Sequence, residues 1–259
     1  MNTRTFEGKV AFVTGATSGI GQSVAVAFAQ EGAAVVGCGR NAAGGAETER
    51  LVEDAGGSFH FVPLDLCDET EIIAAMRIVM DRHGRLDCAA NCAGFDLNAA
   101  FLDYTAADFD MIFGTNVRGL FLCMQHEVKA MRLTGGGTIV NVGSIAGHRA
   151  IRGNSLYNAS KSALNMLTQT AALECGTFGV RINVVAPGPV MTPMLRGFIE
   201  KSQKTDTPFS EESLIAASPL SRIAKPEEIA TSVLFLCSPQ AANITGAVLT
   251  VDGGFALAY

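Results

Sequence analysis

The sequence predicts an α/β protein with a seven-stranded parallel sheet covered by helices on both faces. Three observations predict it. Short β-rich runs alternate with helical patterns along the chain. The strand runs are nearly continuous in apolar residues, as strands buried on both faces are. The first strand-to-helix turn is rich in glycine.

The elements follow in order. Val10–Val13 is the first strand and ends at Thr14-Gly15; an Ala/Val-rich helix pattern runs over Ile20–Gln30. Ala33–Val36 is the second strand, followed by a helix over Glu47–Ala55. Phe59–Val62 is the third, followed by a helix over Glu71–His83. Leu86–Ala90, Thr138–Val142, Val180–Val185 and Val248–Val251 complete the strands. The remaining helices are Asp108–Met131, Tyr157–Thr177 and Pro226–Cys237. Residues 191–220 break the rhythm with Pro193, Pro208, Pro219 and a polar run over Lys201–Thr207, which reads as a disordered stretch or a functional lid.

The 259 residues allow one large domain or two small ones, and no repeat, low-complexity tract or linker divides them. Residues 1–259 therefore read as a single domain. With 48% hydrophobic and 17% charged residues, disorder is excluded. Mean hydropathy is +0.28, yet no apolar run reaches the roughly 18–20 residues of a spanning helix. Met1–Gly8 shows no charged stretch leading into an apolar one, so no signal peptide is expected. A net charge of −6 without a basic cluster argues against nucleic acid. The seven cysteines form no Cys-x-x-Cys pair and read as reduced thiols of a cytoplasmic protein, not as a metal site.

The turn Thr14-Gly15-Ala16-Thr17-Ser18-Gly19-Ile20-Gly21 lies between a strand and a helix. Glycines there let the backbone approach a pyrophosphate, and the helix N-terminus supplies free N–H groups and a positive dipole. The second strand ends in Gly39-Arg40, where a fold that prefers NAD usually carries an acid for the ribose hydroxyls. Arg40 suits a 2′-phosphate instead, which favours NADP. Asp65-Leu66 follows the third strand; Asp65 offers a polar contact for an adenine ring, or a cap for the helix that Asp68 and Thr70 announce.

Tyr157 and Lys161 are four residues apart and share a helix face. A free tyrosine, with a pKa of about 10, exchanges protons poorly at neutral pH, and a neighbouring ammonium lowers it. Ser144 lies thirteen residues earlier, just past the fifth strand, where its hydroxyl is able to hold a substrate oxygen. Asn116 falls inside the long helix pattern, as an anchor for a water between Lys161 and solvent or as polar surface.

At these residues the chain resembles the short-chain dehydrogenase/reductase family over essentially its whole length. The matching stretches are Thr14–Gly21, Asn91-Cys92-Ala93-Gly94, Asn116, Ser144, Tyr157, Lys161, Pro187–Thr192, Pro226–Ala230 and Ile244–Gly254. The resemblance implies a doubly wound Rossmann domain with Tyr157 as general acid/base and Ser144 polarising the carbonyl. Lys161 would lower the tyrosine pKa and hold the nicotinamide ribose, and Asn116 would complete a proton relay. Around the cofactor it implies Gly15, Thr17, Ser18, Gly19, Ile20, Gly21, Arg40, Asp65, Leu66, Asn91, Ala93, Gly94, Pro187, Gly188, Val190 and Thr192. The Val190 backbone would meet the nicotinamide carboxamide. Three residues depart from the family pattern: Cys92 replaces a second asparagine, Val190 a common isoleucine, and Ser18 the basic residue of many NADP-preferring members. The NADP reading therefore rests on Gly39-Arg40.

The expected activity is hydride transfer between NADP(H) and a ketone or secondary alcohol of small to medium size. The alternatives are an NAD-dependent dehydrogenase of a sugar or cyclic diol, and a non-catalytic nucleotide-sensing protein. An enoyl reductase is disfavoured because that group's tyrosine–lysine spacing is wider. For the substrate, the stretches Phe95–Ala99, His148–Ile151 and Met191–Phe198 are expected to build the pocket, and their Phe95, Leu97, Ile151, Met194, Leu195 and Phe198 suggest an apolar one. Among His148, Arg149 and Arg152, His148 is the first choice to read a substrate hydroxyl or carboxylate; a solvated loop is the other reading. Carrier-protein reductases of the family place basic side chains where this chain has Gly135 and Phe178, which argues against a carrier-protein partner. Apolar residues around the helices over 108–131 and 157–177, with the resemblance, imply a homotetramer.

Overall fold

The computed structural model describes residues 4–203 and 208–258. Seven strands form one sheet: β1 (Val10–Thr14), β2 (Ala34–Gly39), β3 (Ser58–Pro63), β4 (Cys88–Asn91), β5 (Gly137–Val142), β6 (Val180–Pro187) and β7 (Val248–Val251). Their order is β3-β2-β1-β4-β5-β6-β7, and every pairing is parallel. The order reverses between β1 and β4, where Thr14 pairs with Asn91. Crossovers leave β1 and β4 in opposite directions there, so a crevice opens beyond the strand ends.

The period of two along each strand divides the core. In β1, Val10 and Phe12 face one layer while Ala11 and Val13 face the other. The first layer packs on α3 (Glu69–His83), α5 (Leu120–Arg132) and α6 (Ser155–Cys175) through Ile72, Met131 and Leu164. The second packs on α1 (Gly19–Gln30), α2 (Ala42–Asp54) and α9 (Pro226–Cys237) through Phe28, Val52 and Ile229. Both faces of the sheet are thus covered, which accounts for the apolar strand runs.

Three elements differ from the sequence expectation. Helix α2 starts at Ala42 rather than Glu47, because Asn41 caps it by accepting from the Gly44 amide at 3.1 Å. Its early glycines serve packing: a Cβ on Gly44 would stand 2.3 Å from the Thr17 carbonyl oxygen. The predicted helix over 108–131 is α4 (Ala106–Phe113), a widened π-helical turn over Gly114–Gly119, and α5. A 3.6-residue pattern does not reveal one wide turn, and this turn carries Asn116. Residues 191–220 contain α7 (Pro193–Ser202), capped by Thr192, and α8 (Glu211–Ala217), capped by Ser210. Lys204, Thr205, Asp206 and Thr207 of the expected lid lie outside the described residues.

A polar cluster sits inside the first layer. Asn91 Nδ2 donates to Glu127 Oε2 and to Asn141 Oδ1, each at 3.0 Å, and Asn141 donates to Thr168 at 2.8 Å. Glu127 is fully buried, and burial raises its carboxyl from 4.5 to about 8 against the lowering effect of the Asn91 bond. Between these values the folded chain keeps a proton that the unfolded chain has released, so stability falls as pH rises from about 4.5 to about 8. The slope from this one group is at most about 1.4 kcal/mol per pH unit. Thermal melts of Glu127→Gln are expected to show a smaller loss of Tm between pH 6 and 8 than the parent shows. An equal loss in both proteins would remove Glu127 as the source.

Candidate active site

The crevice at the sheet reversal holds a cavity of about 610 Å³. One end is built by the glycine turn. Gly15 has φ +67° and abuts Ala93, where a Cβ would stand 2.8 Å from the backbone. Gly21 lies so close to the turn that a Cβ would stand 2.2 Å from the Gly15 carbonyl oxygen. Helix α1 therefore begins at the cavity edge. Its N-cap Ser18 makes no side-chain cap bond and its first turn carries no acid, so the positive helix end faces the cavity without a competing anion.

Of the expected cofactor residues, Gly15, Thr17, Ser18, Gly19, Ile20, Gly21, Arg40, Asp65, Leu66, Ala93, Gly94, Pro187, Gly188, Val190 and Thr192 line the cavity. Asn91 does not; its amide belongs to the buried cluster with Glu127 and Asn141. Asp65 is not the helix cap, since Asp68 caps α3 while Asp65 accepts from the Cys67 amide at 2.9 Å. Gly39 has a packing reason beyond making room for Arg40, because a Cβ there would stand 2.8 Å from Thr17 Cγ2.

The other end holds Ser144, Tyr157 and Lys161. Ser144 follows β5 and caps a short turn, accepting from the Ala146 amide at 3.1 Å. Tyr157 and Lys161 project from α6, with the Lys161 Nζ 5.6 Å from the Tyr157 ring centroid. The ammonium donates to the Val142 carbonyl at 2.9 Å. Asn116 does not line the cavity; its amide donates to the Phe95 carbonyl at 2.9 Å and to Ser160 Oγ at 3.0 Å, while its Oδ1 accepts from the Phe95 amide at 2.8 Å. Both amide hydrogens are used, so Asn116 fastens the loop after β4 to α6.

Burial governs the electrostatics. It pushes the Tyr157 phenol up, helped by the Asp96 charge, while the Ser144 hydrogen bond pulls it down. Burial also lowers Lys161 to about 8, against the opposing pull of Asp96 and Cys92. In the protein alone, desolvation therefore leaves the phenol above its ordinary value, and the Lys161 ammonium is turned to Val142.

Ile151, Met194, Leu195 and Phe198 line the same cavity. Phe95 lines a smaller neighbouring one of about 240 Å³, and His148 lines neither. Arg149 is not a solvated loop residue, because it donates to the carbonyls of Phe255 and Ala256 at 3.1 and 2.8 Å. That contact helps bring Phe255 to the cavity wall, and neither Phe255 nor Asn154 is expected there from the sequence, whereas Asp96 falls in the expected stretch Phe95–Ala99 and Phe209 and Leu214 in the expected lid. Asp96 had a signal, since it falls two residues after Gly94; Phe255 had none, being a long-range contact.

A family model described as enoyl-(acyl carrier protein) reductase matches residues 15–256. A short-chain dehydrogenase/reductase of Armillaria gallica is 39% identical over 98% of each chain. This chain belongs to the short-chain dehydrogenase/reductase family. It is accordingly an oxidoreductase of the class that uses NAD(P) on ketones and alcohols. Among solved members, levodione reductase superposes with a TM-score of 0.94 at 33% identity, covering 98% of this chain and 100% of that one. The levodione reductase of Leifsonia aquatica is 33% identical over 99% of this chain and 97% of its own. A 7α-hydroxysteroid dehydrogenase complexed with NADH and 7-oxo glycochenodeoxycholic acid superposes at 0.91, with 32% identity over 97% of this chain and 96% of that one.

Proposed function

We propose that this short-chain dehydrogenase/reductase is an NADP(H)-dependent reductase of an apolar ketone of small to medium size, or dehydrogenase of the matching secondary alcohol. One observation carries the reading: Ser144, Tyr157 and Lys161 converge in the same cavity as the glycine turn and the free N-terminus of α1. The turn and α1 would hold the pyrophosphate, Arg40 a 2′-phosphate, and Lys161 the nicotinamide ribose. When bound, the nicotinamide supplies or accepts the hydride.

The side chains account for the oxygen. Ser144 donates a hydrogen bond to the carbonyl oxygen, and Tyr157 delivers a proton to it, or takes one from the alcohol. The raised phenol suits the protonated acid that reduction requires. Lys161 lies beside it, with Nζ 5.6 Å from the Tyr157 ring centroid, and burial lowers its ammonium to about 8. Asn116 serves as a positioning residue that holds Phe95 and α6. The four-residue spacing of Tyr157 and Lys161 favours carbonyl over enoyl reduction.

The lid of this single domain is residues 191–220, whose α7 carries Met194, Leu195 and Phe198 to the cavity. We place the enzyme in the cytoplasm as a homotetramer. All seven cysteines are unpaired, which fits a reducing compartment. Phe109, Met111, Phe121 and Met166 are exposed on α4, α5 and α6, an apolar surface suited to helix pairing between copies. No described helix is long and apolar enough to cross a membrane.

Tyr157→Phe is expected to lower kcat by about 10²–10⁴-fold while NADPH binding, followed by fluorescence, stays nearly unchanged; normal turnover would sink the mechanism. Arg40→Ala is expected to weaken NADPH by about 10- to 100-fold and leave NADH unaffected. A parent enzyme that prefers NADH would instead favour the NAD-dependent alternative. Light scattering on the purified enzyme is expected to give four times the chain mass, and a monomer would refute the assembly.

A further inference from the structure

We propose that Asp96 is the specificity-determining residue of the substrate cavity, and that it receives a hydroxyl group carried by an otherwise apolar ketone or alcohol. The inference rests on the oxidoreductase reading above and names the substrate feature that the reading leaves open.

Asp96 lies on the loop after β4, two residues past Gly94, and lines both the main cavity and its smaller neighbour. It shares the main cavity with Ser144 and Tyr157. The surrounding wall is apolar, from Ile151, Met194, Leu195, Phe198, Phe209 and Leu214. Its Oδ1 is shielded from water and has no hydrogen-bond partner among the described residues. A carboxylate oxygen in that state costs free energy until a donor reaches it. The terminal torsion of aspartate is broad, so a partial rotation of the carboxylate turns the shielded oxygen toward a donor in the cavity.

The charges nearby select the donor. Burial raises the Asp96 carboxyl to about 6, while Lys161, Lys201 and a backbone bond from Leu97 hold it down, so it is mainly ionised at neutral pH. A substrate anion would meet a like charge there. A substrate cation would meet Lys161 in the main cavity and Lys201 across the smaller one. A neutral hydroxyl satisfies the oxygen with neither penalty. Beyond Ser144, Tyr157, Lys161 and the Asn154 amide, Asp96 is the charged acceptor of this part of the wall, and it discriminates in favour of the hydroxyl-bearing substrate because the analogue without it leaves the acceptor unpaired.

The test uses the full chain with saturating nicotinamide cofactor. It measures kcat/KM for cyclohexanone, for hydroxycyclohexanones with the hydroxyl at each ring position, and for the corresponding oxocyclohexanecarboxylates. The parent is expected to favour at least one hydroxycyclohexanone over cyclohexanone by about tenfold or more, and to reject the carboxylates. Asp96→Leu is expected to abolish that ratio. Asp96→Asn, which keeps the shape and one acceptor oxygen, is expected to retain part of it and controls for folding. An unchanged ratio in Asp96→Leu overturns the proposal. So does an equal fall on every substrate, especially if Lys201→Met reproduces it, because Asp96 would then act as a latch for α7. If the parent turns over no ketone with either cofactor, the oxidoreductase reading fails instead. Calorimetric binding of the hydroxycyclohexanones to parent and Asp96→Leu then decides the Asp96 claim alone, and equal affinities overturn it.

Discussion

The approach of Gly21 to the Gly15 carbonyl, with no room for a Cβ between them, is the constraint on which the site depends. It lets α1 follow β1 after a tight turn over residues 15–18, so the positive helix end stands at the point where the strand order reverses. The same turn presses against Ala93 after β4, the neighbouring strand on the far side of the reversal. The nucleotide end of the cavity and the loop bearing Gly94 and Asp96 are thereby set against each other by backbone contacts. Few side-chain rotamers intervene, which leaves little freedom to lose on binding.

The end of the cavity that holds Ser144, Tyr157 and Lys161 is built at an electrostatic cost. Lys161 is almost completely buried and has one protein carbonyl to donate to, and Tyr157 is kept protonated by the same burial. Around them, buried polar side chains are held in two clusters. Asn116 ties the loop after β4 to α6, and Asn91 ties β4 to Glu127 on α5 and Asn141 on β5. Such networks rigidify a core when their members are satisfied, which suits a site that must keep Ser144 and Tyr157 in register. Glu127 Oε1 is an exception among the partnered atoms, and the neutral carboxyl favoured by burial lessens its cost. Asp96 lies outside both clusters, with charged neighbours but an unpaired oxygen. That isolation separates it physically from the groups that only support the fold.

Much of this was legible in the sequence because it is local. Strands and helices announce themselves by period, so all seven strands were expected within a few residues of where they lie. Tyr157 and Lys161 are joined by one helical turn, and the glycine turn is a contiguous stretch. The misreadings share a cause. The helix pattern read from Glu47 leaves out Gly44 and Gly45, whose place in α2 rests on close contact with Thr17 and Phe61, distant in sequence. The position of Asn91 at a strand end does not reveal the acid its side-chain amide bonds to. His148 was preferred over Arg149 by proximity to Ser144, whereas Arg149 reaches across to the Phe255 and Ala256 carbonyls.

The sequence by itself determined the α/β class, the cofactor turn, the tyrosine–lysine pair and the family. These depend on spacings of a few residues, where chain geometry leaves one arrangement. Only the tertiary structure decided which side chains face the cavity, that Asn116 sits in a widened turn with its amide hydrogens spent, and that Asp96 stands with an unpaired oxygen among apolar walls. Burial and desolvation come from segments far apart in the chain, such as α7, α8, the turn around Phe255 and the loop after β4, which line one cavity. No local pattern encodes that convergence, and it is the convergence that sets both the proton affinities and the shape a substrate must match.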